Sequence, residues 1–404
     1  MNQDPENAIT RSVIVITIEG LGARWLEPWG CGSVRTLAIN RLAAEGLLIE
    51  NAHAIHGNAT RQWNQWMQPA CDVDSNWLST LRDSGRTTVL LTDSSAIASA
   101  SEPHFQEVVE LQQSRASVAA SELASTHFVN FFAGAAELVQ TLPEQGTLLW
   151  IHSKGFHLPW DAPQDMRLAV KGDEDPEPPH EVGPPQFSTE PDGPDASDLI
   201  TGWQQSLAAQ IHVLDAALAI FFDSVLDPVT CSNLPLVCLT STGGYGMGEH
   251  SRIGPNEPGL FHEEYVHVPL LCSFPNSDLG NFRLSELMAA DRLSGIVESW
   301  MAGKPVEQIL DLSIFPDRSR QIIYSRTTSS QMIRTATWKL LQTGDDRKLF
   351  LKPDDRWDQN DVANLCRDIA DELSVLLEQL PDSTGDTLAS SQPPLVKLLT
   401  DRMA

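Results

Sequence analysis

Residues 13–20 read VIVITIEG. Six residues of buried-strand composition end in one carboxylate, Glu19, and a glycine, and residues 21–24 then lead towards a helix that starts near Thr36. Further short apolar runs stand at 88–91, 148–152, 236–240 and 268–273, each separated from the next by a segment long enough for a crossover helix. This rhythm predicts an α/β fold with a mostly parallel, doubly wound sheet. In such a sheet ligands bind beyond the carboxyl ends of the strands, so Glu19 stands where chemistry is expected. The clearest helical stretches are 36–45, with Thr36 as N-cap and Gly46 as stop, and 202–223, where Leu207, Ile211, Leu214, Leu218 and Phe222 share one face.

The composition changes sharply between 162 and 198. Residues 172–195 are dense in proline, aspartate and glutamate and are expected to form a long solvated loop, an excursion from the main domain. After residue 312 the pattern shifts to short strand-like pieces at 321–324, 331–341 and 348–351, followed by a helix at 359–380. The chain is therefore expected to comprise a large α/β domain, 1–312, and a smaller C-terminal α+β subdomain, 313–404. No internal repeat is visible.

At 404 residues and 41% hydrophobic content, the chain can fill one large core or two of unequal size. A formal charge of -27 argues against a nucleic-acid partner, which needs a basic surface, and an anionic ligand would need a local positive site. Residues 1–12 are polar and no run of 18 apolar residues occurs, so neither a signal peptide nor a membrane span is expected and the expected location is the cytoplasm. Cys31, Cys71, Cys231, Cys238, Cys272 and Cys366 include no C-x-x-C pair, which points to buried free thiols rather than a disulfide framework or a cysteine zinc site.

Several strings occur in an order that resembles one family. The stretch VRTLAINRLAAEGLLIENAHA follows the acidic strand tip, as a helix with "T-P-N-L-D-R-L-A-x-E-G" does in the sulfatases, a branch of the alkaline-phosphatase superfamily. WIHSKGFHLPWDAP resembles the family strand and loop that carry a substrate-pocket histidine before "P-W". LTSTGGYGMGEH stands in place of "S-D-H-G-E-x-x-G-E-H", and EEYVHVPLL in place of "Y-E-E-x-x-R-V-P-L". The segment starting MIRTATWKLL resembles the C-terminal "R-T-x-x-W-K-L" stretch of that family. The resemblance runs from about residue 12 to about residue 380 and implies an alkaline-phosphatase-like fold.

The residues that carry the family's chemistry differ. Sulfatases use a formylglycine made from the first residue of "C-x-P-S-R", and the matching stretch here begins with Gly57 and ends in Arg61. Glycine cannot become an aldehyde nucleophile. The family calcium is held mainly by carboxylates, and a hard cation needs several oxygen ligands. The matching pairs here read Glu19 with Gly20 and Thr242 with Gly243, so the resemblance implies that this calcium is absent and that no metal cofactor is held. Where the family's "G-K-W-H" places cations, this chain has Asp93, an anion that would repel a sulfate or phosphate ester. The residual pocket is thus expected to comprise Glu19, Arg61, Asp93, Lys154, His157, Thr242 and His250.

Each of these residues also has a plain structural reading. Arg61 would hold an anion bidentately or pair with a carboxylate, Lys154 and His157 would face a ligand or shape their loop, and His250 would serve as a ligand or be satisfied by backbone. His53 and His56 would complete a relocated metal site if they met Glu19 and His250. Asp215 matches a recurrent family aspartate, with a capping or ion-pair role favoured over catalysis. Thr60 and Ser95 have hydroxyls but no obvious base to activate them. The TGGYGMG run lacks the lysine of a P-loop and reads as a tight turn. Together these substitutions imply a pseudoenzyme with a binding or regulatory role, recognising a sulfated or other carbohydrate ligand or pairing with an active homologue. The alternative is a sulfuric or phosphoric ester hydrolase with a reorganised site.

Overall fold

The computed structural model describes residues 11–67, 77–112, 116–187, 195–226, 233–313, 321–380 and 385–388. Its strands are β1 (Val13–Ile18), β2 (Leu47–His53), β3 (Thr87–Thr92), β4 (Glu107–Glu110), β5 (Thr147–Ser153), β6 (Leu236–Thr240), β7 (Tyr245–Met247), β8 (Ile253–Pro255), β9 (Leu270–Ser273) and β10 (Phe282–Ala289), followed by β11 (Gln321–Arg326), β12 (Ser330–Arg334), β13 (Trp338–Thr343), β14 (Asp346–Leu351) and β15 (Gly385–Leu388). Eight of them form one sheet in the order β10-β2-β9-β6-β1-β5-β3-β4. β1 runs parallel to both β5 and β6, and β9 alone is antiparallel to its neighbours β2 and β6.

The period of the strand decides how the core is divided. Ile14, Ile16 and Ile18 join the hydrophobic cluster on one face, whereas Val13 and Val15 join that on the other. All six residues of β1 are buried, as expected for a parallel strand covered by helices on both sides. The first face is closed by the helices Leu37–Glu45, His127–Val139 and Ala196–Val225; the second by Ala59–Met67 and Arg292–Met301. β1 is thereby central, and its tip opens beside the ends of β5 and β6.

The C-terminal unit is an antiparallel sheet, β14-β13-β12-β11-β15, packed on the helix Arg367–Gln379. The fold is therefore the expected mixed α/β architecture with a smaller α+β unit. Four local expectations change. The stretch 331–341 is a hairpin rather than one strand, because Thr335 Oγ1 accepts the N–H groups of Thr337 and Trp338 and turns the chain. The helix expected at 359–380 starts only at Arg367. Thr36 precedes its helix without capping it; the carboxylate of Asp215 does so, accepting from Ala38 N (3.1 Å) and Ile39 N (3.0 Å). Finally, the described part of the acidic loop is tied to the core rather than simply solvated: Arg167 donates to the carbonyls of Pro179 and Glu181, Val182 is buried, and Phe187 bridges to Ile253. Residues 188–194 of that loop lie outside the described residues, as do Cys71 and Cys231. The other four cysteines are free thiols, two buried and two half-buried.

Candidate functional site

Glu19 follows β1 directly and is 5% exposed. Its Oε1 lies 2.9 Å from His152 Nε2 and its Oε2 2.7 Å from His157 Nδ1. His152 is the sixth residue of β5, and its other ring nitrogen, Nδ1, lies 2.9 Å from the Thr17 hydroxyl, which also accepts from the Trp150 indole. With a carboxylate to satisfy, His152 carries its proton on Nε2, leaving Nδ1 to accept from Thr17. Burial alone would raise the Glu19 pKa, but the hydrogen bonds from His152 and His157 overcome it and bring the group down to about 2. Both carboxylate oxygens are thus consumed by imidazole donors.

The loop after β5 is held against this carboxylate by backbone proximity. Gly155 has φ +50°, and a Cβ there would stand 2.4 Å from the Glu19 carbonyl oxygen. Only glycine allows that approach, and it seats the Phe156 N–H on the same carbonyl at 2.9 Å. His157 is placed on Glu19 by this turn. Asp93, after β3, holds the other side of the loop: its oxygens accept from Ser153 Oγ at 2.9 Å and Lys154 N at 2.7 Å. Burial nevertheless raises the Asp93 pKa. Lys154 thus contributes its backbone to the loop, and its residue is half-buried.

The remaining expected residues occupy separate places. Gly57 has φ +76°, and a Cβ would lie 2.8 Å from Pro258 Cα. The backbone at Gly57, the residue matched above to the sulfatase nucleophile, therefore leaves no room for a side chain. Next to it, Asn58 Oδ1 caps the helix Ala59–Met67 by accepting from Arg61 N, and Arg61 itself is exposed. Thr242 is buried in the turn after β6, and Gly243 lies against the amide of Asn256. Asn256 is buried, with neither amide atom partnered among the described residues; His157 Nε2 shares that condition.

His250 belongs to another cluster. Its Nδ1 lies 2.7 Å from Glu264, its Nε2 donates to the Asp358 carbonyl (2.9 Å), and its ring stacks on His262 with ring centroids 3.6 Å apart. Burial lowers its pKa, but Glu264 outweighs that and the net effect is upward. His53 pairs with Glu263 at 3.1 Å and His56 with Asp291 at 2.8 Å. The four residues of the relocated metal site thus pair elsewhere and not with one another, and among the described residues no group of three His, Cys, Asp or Glu side chains converges on a metal position. Nor does the donor set at the tips of β1 and β6 fit a calcium: Glu19 is already bonded to two imidazoles and stands beside Gly20, Thr242 and Gly243, while Asp93 after β3 is taken by Ser153 and Lys154.

Sequence reasoning missed His152 and Asn256. A histidine in the otherwise apolar run TLLWIHS was a usable signal, since a buried imidazole needs a partner. Asn256 carried none.

No family model and no curated protein sequence matches the chain. Solved structures do. The phosphonate monoester hydrolase of Agrobacterium radiobacter is similar at TM-score 0.68 and 13% identity, covering 91% of this chain and 94% of that one. A protein solved in complex with its substrate D-glucosamine-2-N,6-O-disulfate gives 0.72 and 14%, covering 92% and 97%, and a 2-O GAG sulfatase gives 0.62 and 14%, covering 91% of each chain. At these identities the likeness is one of fold. The chain therefore shares the fold of these sulfatase and phosphonate monoester hydrolase structures.

Proposed function

We propose that this protein is a sulfatase-like binding protein that does not hydrolyse sulfate esters by the family mechanism. The observation that carries the proposal is Gly57: the nucleophile position holds no side chain, and its positive φ and contact with Pro258 leave no room for one. Catalysis of sulfuryl transfer needs a nucleophile and charge stabilisation in the transition state. Here the carboxylate of Glu19 is taken by His152 and His157, and Asp93 stands where the family places cations. Hydrogen-bonding groups remain, namely the Asn256 amide and His157 Nε2, of the type that receives ligand hydroxyls. The ligand class we assign is a sulfated or other carbohydrate, in keeping with the disulfated glucosamine bound by a protein of the same fold.

The test is turnover of 4-nitrophenyl sulfate and of a phenyl phosphonate ester by the full chain, with calcium, magnesium or manganese added, alongside calorimetric binding of disulfated glucosamine. Binding without turnover is the expected result. Metal-dependent hydrolysis that disappears in Glu19→Gln would overturn the reading in favour of a reorganised hydrolase.

A further inference from the structure

A cavity of about 500 Å³ lies away from the β1 tip, between the turn at residues 27–30, the edge of β2, and the C-terminal unit. None of the residues expected for the sulfatase-like pocket lines it. Four of its lining residues are cations, Arg283, Arg334, Lys352 and Arg356, against three carboxylates, Glu27, Glu50 and Glu263. The wall is therefore net positive in a chain whose formal charge is -27.

Most of those charges are already engaged. Glu263 and Asp358 are shared by Lys339 (2.9 and 2.6 Å) and Lys352 (3.3 and 2.6 Å), two carboxylates for two ammonium groups. Burial keeps the nearby His53 and His267 imidazoles from adding charge, pressing His267 down to about 3. Arg334 is the surplus. It is 5% exposed, and its Nε and Nη1 have no partner among the described residues. Glu263 and Asp358 act on it only at longer range, and a buried guanidinium with two unpaired N–H groups is costly unless an anion completes it.

Two further groups extend the pattern. The Trp29 indole Nε1 is buried without a partner among the described residues. His267 lies with Nε2 2.7 Å from the Glu50 carbonyl, so its proton sits there, and its unpartnered Nδ1 is an acceptor at neutral pH. Arg283 and Arg356 are held in place by the carbonyls of Pro28 and Trp29. Arg334, Trp29 and His267 all line the cavity, so one wall brings together a guanidinium, an indole and an imidazole, each with an unpartnered nitrogen among the described residues.

We propose that this cavity is a second, anion-binding site, with Arg334 as its buried anchor, and that it takes a tetrahedral oxyanion, phosphate or sulfate, free or as the monoester of a hydroxylated small molecule. The site is independent of the reading given to Glu19 and Gly57. Its volume suits a sugar-sized ligand.

The experiment is calorimetric titration of the full chain with inorganic phosphate, inorganic sulfate, glucose 6-phosphate and glucosamine 6-sulfate at low salt. The wild type and Glu19→Gln are expected to bind alike, and Arg334→Met to bind at least tenfold more weakly. Without anion, Arg334→Met is expected to be as stable as the wild type or more so, since it removes a surplus buried charge; a merely structural arginine would instead leave a destabilised protein. Trp29→Phe, which keeps the ring and loses the N–H, gives a second measurement of the same site. Equal affinity for inorganic anion and sugar ester upholds the site with the free anion as its ligand, and tighter ester binding upholds it with the monoester. Absence of binding by all four probes, or affinity unchanged in both Arg334→Met and Trp29→Phe, would overturn the proposal.

Discussion

Replacing Glu19 by glutamine removes one charge from a largely buried cluster without changing its shape. In the wild type the carboxyl is held at about 2 against an ordinary 4.5. At roughly 1.4 kcal/mol per pKa unit, that difference stabilises the folded state by about 3 kcal/mol at neutral pH. The sign follows from the depressed value: the contribution is complete above the unfolded pKa and disappears as pH falls through the folded one. By about pH 3 some 40% of it remains, because the unfolded carboxyl is then protonated while the folded one still is not. The amide of the variant keeps an acceptor for His152 but presents N–H groups to His157, which must change tautomer. We therefore expect Glu19→Gln to lose about 2 to 3 kcal/mol in urea unfolding at pH 7, followed by tryptophan fluorescence, since Trp63 and Trp150 pack around His152. The gap to the wild type should shrink to about half or less near pH 3. A variant as stable as the wild type at pH 7, or a gap that widens on acidification, would refute the assignment of Glu19 as an imidazole-locked carboxylate.

Two more predictions concern the junction with the C-terminal unit. Lys339 is completely buried and joins Glu263 of the main domain to Asp358, so Lys339→Met should cost about 3–5 kcal/mol and speed proteolysis of the C-terminal unit; an unchanged urea midpoint would contradict it. His250 has a raised pKa through Glu264, so its contribution is present below the ordinary 6.5 and is lost as pH rises through the folded value. His250→Gln should therefore lower the thermal midpoint more at pH 6 than at pH 9, and an equal drop at both would refute the pairing.

The central strands were legible because parallel strands covered on both faces leave continuous apolar runs, as in VIVITI and LVCLT. β2 and β10 were not. LLIENAH and FRLSELMA mix polar and apolar residues because β10 is the sheet edge and β2 loses its β9 partner after Leu48, and the register shift between Leu284 and Leu287 breaks the alternation that would have marked a strand. The hairpin at residues 335–337 escaped notice because a threonine hydroxyl, rather than glycine or proline, turns the chain. At the site, Glu19 was legible as a strand-tip carboxylate. His152 was not, since a histidine inside an apolar strand looks like core until its partner across the sheet is known.

The accounting of buried polar groups separates the two sites. At the β1 tip the carboxylate that a metal would need is satisfied twice over from within the protein, by donors that fix its charge and orientation. A group so satisfied gains little from a new partner, because binding would first have to break two charge-assisted hydrogen bonds. Arg334 presents the reverse case: the nearby carboxylates are already matched by Lys339 and Lys352, and two of its nitrogens have no partner among the described residues. Any anion that reaches it gains the interaction without displacing one. On this reasoning the proposed anion site at the seam with the C-terminal unit is the better placed of the two to take a charged group. Anion titration should therefore respond to Arg334→Met and not to Glu19→Gln, and the double variant should bind as Arg334→Met alone does.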